Sequence, residues 1–284
     1  MRKLGEKMNR TRENRRIEAA FFTTILILIS LAAIWLSKQE WLPPLASEHG
    51  ASIDRLLRYL LITVGLLFLV GHLTLGGFIF LSSRRSRVTH VIASPKVEWR
   101  WALIPAILMA LVAEGGVLVL GLPIWKDLYG GSPPAEAITI EVTAEQFAWN
   151  VRYPGKDGTF GRTNPHLIAE GNPLGLDKAD SAARDDIVKL GVLYLPANQP
   201  VRIRLRSKDT LHSFFLPNFR IKQDAVPGIA VEVWFTPTKV GHYELACAEL
   251  CGLGHFQMRG ILEVMPPEEF ERWLSEQEPA LSGI

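Results

Sequence analysis

A chain of 284 residues, 48% of them hydrophobic, could hold one large or two ordinary domains, but its apolar residues are spread too unevenly for a soluble protein. The formal net charge of +2 hides a split: residues 1–125 carry 15 Lys and Arg against 8 Asp and Glu, and residues 126–284 carry 16 against 21, a net of −5. A region of that sign is excluded as a nucleic-acid binder and would attract a basic protein partner.

Residues 19–36, 59–82 and 101–125 are three mostly apolar runs, each near the roughly 20 residues a helix needs to cross a bilayer. Basic loops stay in the cytoplasm. Residues 1–18 carry Arg2, Lys3, Lys7, Arg10, Arg12, Arg15 and Arg16, and the second loop carries Arg84, Arg85, Arg87, Lys96 and Arg100. Between the first two spans lie only Lys38, Arg55 and Arg58. The basic N-terminus, residues 1–18, is therefore expected in the cytoplasm, with the three-helix region at 19–125. Everything after residue 125 then lies outside, which in a bacterium means the periplasmic side of the inner membrane. The first span reads as a retained anchor, since no A-x-A-like cleavage site follows it promptly.

After Trp125 the pattern shifts to short stretches of period two, as in Val201-Arg202-Ile203-Arg204-Leu205-Arg206. Similar strands are expected near 137–143, 146–153, 190–196, 211–216, 230–236, 240–246 and 258–265. About eight strands predict an all-β, two-sheet Greek-key sandwich over 126–265. Residues 154–188, rich in Gly, Pro, Asp and Asn, read as a long loop insertion without structure of its own. Pro266-Pro267-Glu268-Glu269-Phe270 opens a short terminal helix within 266–284.

The only two cysteines stand four apart in Cys247-Ala248-Glu249-Leu250-Cys251-Gly252-Leu253-Gly254-His255-Phe256-Gln257-Met258. A disulfide would need no His and Met at fixed offsets, whereas thiolate, imidazole and thioether form the soft set that suits copper. A single-copper blue site uses one Cys. Two cysteine sulfurs on one tight loop can bridge two metal ions, and the second imidazole must then come from elsewhere. His212, at the start of an expected strand, is the candidate.

With the Cys-x-Glu-x-Cys-x-x-x-His-x-x-Met run, Leu211-His212-Ser213 and Asp224-Ala225-Val226-Pro227-Gly228, the chain resembles subunit II of cytochrome c oxidase from the second span onward. The resemblance implies a cupredoxin-like domain with a dinuclear copper A centre. It implies that Cys247 and Cys251 bridge two coppers, that His212 and His255 each bind one, and that Met258 and the Glu249 carbonyl are weak opposing ligands. It further implies that the Glu249 side chain reaches a magnesium ion shared with the catalytic subunit I, and that Glu98, before Trp99 and Pro105, begins a proton path. The expected partners are subunit I with its haem, other oxidase subunits, cytochrome c or an equivalent donor, and membrane lipid, with no nucleic acid.

Two departures stand out. Family members carry a Trp-aromatic-Trp stretch where electrons arrive, and this chain has Gln146-Phe147-Ala148-Trp149, making Phe147 and Trp149 the candidates for receiving them. The family usually has two spans, and this chain has three. His72 and Glu114 are intramembrane polar residues, better explained by packing on a partner than by proton transfer. His49, His90, His166 and His242 read as ordinary loop or surface histidines. No intramembrane histidine cluster capable of holding haem is visible, so oxygen chemistry belongs to a partner. Alternative readings are the copper A subunit of a haem-copper nitric oxide reductase and, in a different class, a copper-delivery or copper-sensing membrane protein.

Overall fold

The computed structural model describes residues 2–84 and 94–282, with side chains from residue 13 onward. Arg85, Arg87 and His90 lie outside the described residues, as do the side chains of the basic residues before Glu13. The chain forms two compact units: Met1–Trp41 with Arg55–Leu122, and Leu42–Asp54 with Pro123–Ile284.

In the first unit, α1 spans Arg2–Ser37 and α2 spans Gly50–Arg84, both reaching beyond the apolar runs that announced them. Helix α3, Pro95–Met109, opens with Pro at its first position and Glu98 in its first turn. It passes through a π-turn at Ala110–Glu114 into α4, Gly115–Trp125, which ends in a second π-turn, Lys126–Gly130. Pro105 and Pro123 each precede a π-turn by a few residues, as expected where proline removes a hydrogen bond from the helical ladder. The Tyr59 hydroxyl donates to the Val112 carbonyl in the first π-turn. The spans Glu13–Ser37, Gly50–Arg84 and Pro95–Gly130 are all long and apolar enough to cross a membrane.

The second unit is a sandwich of ten strands, two more than the alternation suggested. One sheet has the order β3-β2-β1-β5-β8, built from β1 (Ile138–Glu145), β2 (Ala148–Tyr153), β3 (Ile187–Leu190), β5 (Val201–Ser207) and β8 (Val231–Phe235). The other has the order β4-β10-β9-β6-β7, from β4 (Val192–Pro196), β6 (His212–Leu216), β7 (Ile221–Ala225), β9 (Gly241–Cys247) and β10 (Arg259–Met265). Parallel pairings of β1 with β5 and of β4 with β10, among otherwise antiparallel neighbours, give the cupredoxin-like topology. Alternation sends Ile140, Val142, Val151, Ile203 and Leu205 inward to meet Phe214, Leu216, Leu245 and Leu262, all fully buried. Each such side chain contributes about 1.5–3 kcal/mol relative to exposure.

Helix α5, Pro267–Glu276, closes one end, with Phe270 buried and Trp273 stacked on Tyr194 at 4.2 Å between ring centres. The segment before α2 also belongs to the sandwich unit. Ala46 N–H donates to Asn218 O (2.8 Å), the Ser47 hydroxyl donates to Phe219 O (2.6 Å), and Arg220 pairs with Asp54 (2.8 Å). The loop between the first two spans and the sandwich thus lie on one side of the membrane, as the distribution of basic residues requires.

The insertion departs from expectation. It contains short 3-10 turns at Pro165–Leu167 and Ser181–Ala183 and a small core of Leu174, Leu176 and Ala183. Its last residues form β3, which pairs with β2. Carboxylates and amides organise it: Asp180 caps Ala182 N–H, and the Asn172 side chain bridges Leu167 O and the backbone of Leu176.

Candidate metal centre

His212 is the first residue of β6, Cys247 the last of β9, and Cys251, His255 and Met258 follow on the loop leading into β10. Strands β6 and β9 are neighbours, with Phe214 opposite Cys247, so His212 and the loop meet at one end of the second sheet. The loop returns on itself: Cys247 N–H donates to Met258 O (3.2 Å), and Met258 N–H to His255 O (3.1 Å).

The donor atoms converge. Cys247 Sγ and Cys251 Sγ are 3.8 Å apart as free thiols. Cys251 Sγ lies 3.4 Å from His255 Nδ1 and 3.7 Å from Met258 Sδ, and Cys247 Sγ lies 3.9 Å from His212 Nδ1 and 3.2 Å from Glu249 O. His212 Nδ1 stands 3.1 Å from Met258 Sδ. Atoms that share a metal at bonds of about 2.0–2.3 Å fall at such separations, and two thiols, two imidazoles and a thioether match the preference of copper. Around the sulfur pair, His212 lies beside Met258 and Cys247, His255 beside Cys251, and the Glu249 carbonyl beside Cys247.

Burial raises the Cys251 thiol to about 11, with the neighbouring Cys247 adding to the effect. A thiol must lose its proton to bind a metal, so copper uptake here would release one.

Two residues beyond the motif shape the site. Asp209 Oδ1 lies 2.8 Å from His212 Nε2. A carboxylate only accepts, so Nε2 carries the proton and Nδ1 presents its lone pair to the sulfurs. Asp209 Oδ2 also accepts from Gln146 N–H (2.7 Å). Partial burial works to raise the Asp209 carboxyl, but the hydrogen bonds from His212, Gln146 and Thr210 outweigh it and hold the carboxyl below its ordinary value. The Gln146 side chain in turn donates to Cys251 O (2.6 Å). An acid three residues before a ligand histidine was a visible signal for Asp209, whereas nothing local marked Gln146.

Phe147 and Trp149 occupy different places. Trp149 is fully buried, edge-on to Phe214 at 5.8 Å and to His212 at 6.3 Å between ring centres. Phe147 is 38% exposed and lies over the metal loop, where a Cβ at Gly254 would run into its ring. Gly252, at φ +136°, lies in a region that favours glycine. The loop also carries Leu250, Leu253 and Phe256, exposed by 77, 98 and 71%.

The other candidates stand apart from the metal loop. Glu98 lies at the start of α3, and exposed His72 is 2.9 Å from Phe68 O within α2. Exposed Glu114 closes the first π-turn. His242 is exposed beside Glu263, as expected of a surface residue. His49 is instead packed edge-on against Trp234 at 4.4 Å, and burial lowers its pKa.

The family described as cytochrome c oxidase subunit II, periplasmic domain, matches residues 138–265, which span β1 to β10. The alternative cytochrome c oxidase subunit 2 of Bradyrhizobium diazoefficiens is 32% identical over 265 residues, 92% of each chain. Cytochrome c oxidase subunit 2 of Synechocystis is 24% identical over 291 residues, covering 93% of this chain and 85% of the relative. A solved periplasmic domain of subunit II of cytochrome oxidase from Bradyrhizobium japonicum is 30% identical, covers 50% of this chain and 93% of that one, and superposes with a TM-score of 0.37.

Proposed function

The chain belongs to the cytochrome c oxidase subunit II family, and we propose that it is the electron-receiving subunit of a bacterial inner-membrane haem-copper oxidase, with a dinuclear copper A centre. The observation that carries this reading is the convergence of His212, Cys247, Cys251, His255 and Met258 on one sulfur pair. When bound, the copper pair supplies a one-electron carrier between cytochrome c and haem in subunit I, where oxygen is reduced to water and protons are translocated.

The chain's own residues bind and orient. Cys247, Cys251, His212 and His255 would hold the copper pair, with Met258 and the Glu249 carbonyl as weak ligands. Asp209 fixes the His212 ring through Nε2. Phe147 receives electrons at the surface, and buried Trp149 stiffens the wall behind His212. The Glu249 carboxylate reaches a magnesium ion shared with subunit I, and Glu98 opens a proton path from the cytoplasmic side. Leu250, Leu253 and Phe256 form an apolar rim of the kind that protein partners cover.

Rapid mixing of reduced cytochrome c with the intact complex, followed by gas consumption, tests the reading. Cys251→Ser should stop haem reduction by cytochrome c while an artificial reductant still reduces the haem. Haem reduction by cytochrome c at the wild-type rate would overturn the proposal. Consumption of nitric oxide in place of oxygen would reassign the acceptor while keeping the copper centre.

A further inference from the structure

Away from the metal loop, the outer face of the first sheet and the insertion enclose a cavity of about 470 Å3, within the range of about 300–1,000 Å3 usual for small-molecule sites. Alternation along β5 that buries Ile203 and Leu205 turns Arg204 and Arg206 outward, and they line this cavity with Arg152 and Lys208. The insertion adds apolar lining from Phe160, Ile168 and Leu174, with Phe160 under the Arg152 guanidinium at 5.1 Å.

Among the residues lining the cavity, five are cations, Arg152, Arg162, Arg204, Arg206 and Lys208, and one is a carboxylate, Glu141. Glu141 alone serves three guanidinium groups, Arg152 at 3.0 Å, Arg204 at 3.3 Å and Arg206 at 3.8 Å. Arg152 is almost wholly buried, also pairs with Asp186, and keeps an Nε with no acceptor among the described residues. Arg204 finds a second acid in Glu232 at 3.2 Å, and Lys208 is held by Glu145 at 2.5 Å. Among the described residues Arg206 has no second acid, and it is half exposed. A guanidinium group offers five donors in a planar fork that matches the paired oxygens of carboxylate and phosphate.

We propose that this cavity binds a small polyanion, its carboxylate or phosphate oxygens held by Arg204 and Arg206 and its body resting against Phe160 and Ile168. The site is separate from electron transfer and does not depend on the copper assignment. Its residues come from β1, β2, β5 and the insertion, and the insertion's order follows from its contacts with the sheet.

Calorimetric titration of the intact purified complex at low salt, with citrate as the carboxylate probe and inorganic pyrophosphate as the phosphate probe, tests this. Saturable binding of at least one probe is expected, and the tighter of the two identifies the anion class. Arg206→Gln should weaken it about tenfold or more, since a charge-assisted bond is lost. Ile168→Trp changes no charge and fills the cavity, so it should also weaken binding, which diffuse attraction to surface cations would not do. Absence of saturable binding of both probes, or unchanged binding in Ile168→Trp, would overturn the proposal.

Discussion

Two irregular segments of the outer domain, the metal loop between β9 and β10 and the insertion between β2 and β3, are held in opposite ways. The insertion is held by ion pairs: Arg152 of β2 ties Asp186 and the Gly161 carbonyl to the sheet, and Arg162 pairs with Asp177 and Asp180. The metal loop instead turns two free thiols, a thioether and His255 toward one another, groups that bond weakly among themselves. One loop is held by ion pairs to the sheet and within itself, and the other presents a donor set that suits a metal. Perturbations should separate them.

The largest effect is expected at the cysteines. Cys247→Ser or Cys251→Ser should abolish the copper centre, read as copper per chain by metal analysis, while the insertion stays folded. Retention of both coppers in either variant would break the comparison. Next is Arg152→Met, which leaves Asp186 buried without its cation and takes from Glu141 one of its three, and should destabilise the domain by about 3–5 kcal/mol. Denaturant unfolding should show that loss with the copper spectrum intact in the folded fraction.

Acidity sharpens the contrast. With the Cys251 thiol raised to about 11, the metal-free site is protonated at neutral pH. Copper displaces that proton, so affinity should climb with pH by about tenfold per unit for each proton released. Competition titrations of the metal-free protein across neutral pH measure this, and a flat profile would contradict the protonated-thiol account. A smaller effect is expected from Asp180→Asn. It removes one of the two acids paired with exposed Arg162 rather than an unpaired docking charge, so the rate of cytochrome c association should change by less than about twofold. The domain's net −5 still predicts that association slows as salt rises. A large fall in the association rate on Asp180→Asn would instead make the insertion part of the docking surface.

The same contrast explains what could be read from the sequence. The candidate metal donors drew attention in the sequence because four of them share twelve consecutive residues, and alternation located most strands. Strand β7, Ile-Lys-Gln-Asp-Ala, escaped because its three central residues are polar, and β3 because four residues are too few to show a period. The hold of Gln146 on Cys251 and the charged seam under the insertion join residues distant in sequence, and no local pattern encodes them, whereas Asp209 stands three residues before His212 and was open to view. The acids of the insertion read as a surface patch in sequence. In the fold, Asp177, Asp180 and Asp186 face arginines.

The paired-copper claim is tested most directly by electron paramagnetic resonance of the oxidised intact complex. One unpaired electron shared by two coppers should give hyperfine coupling to two equivalent nuclei, and Met258→Leu should keep that pattern while shifting the reduction potential, since the thioether is a weak ligand. A wild-type spectrum with hyperfine coupling to a single copper nucleus would contradict the bridging role of Cys247 and Cys251.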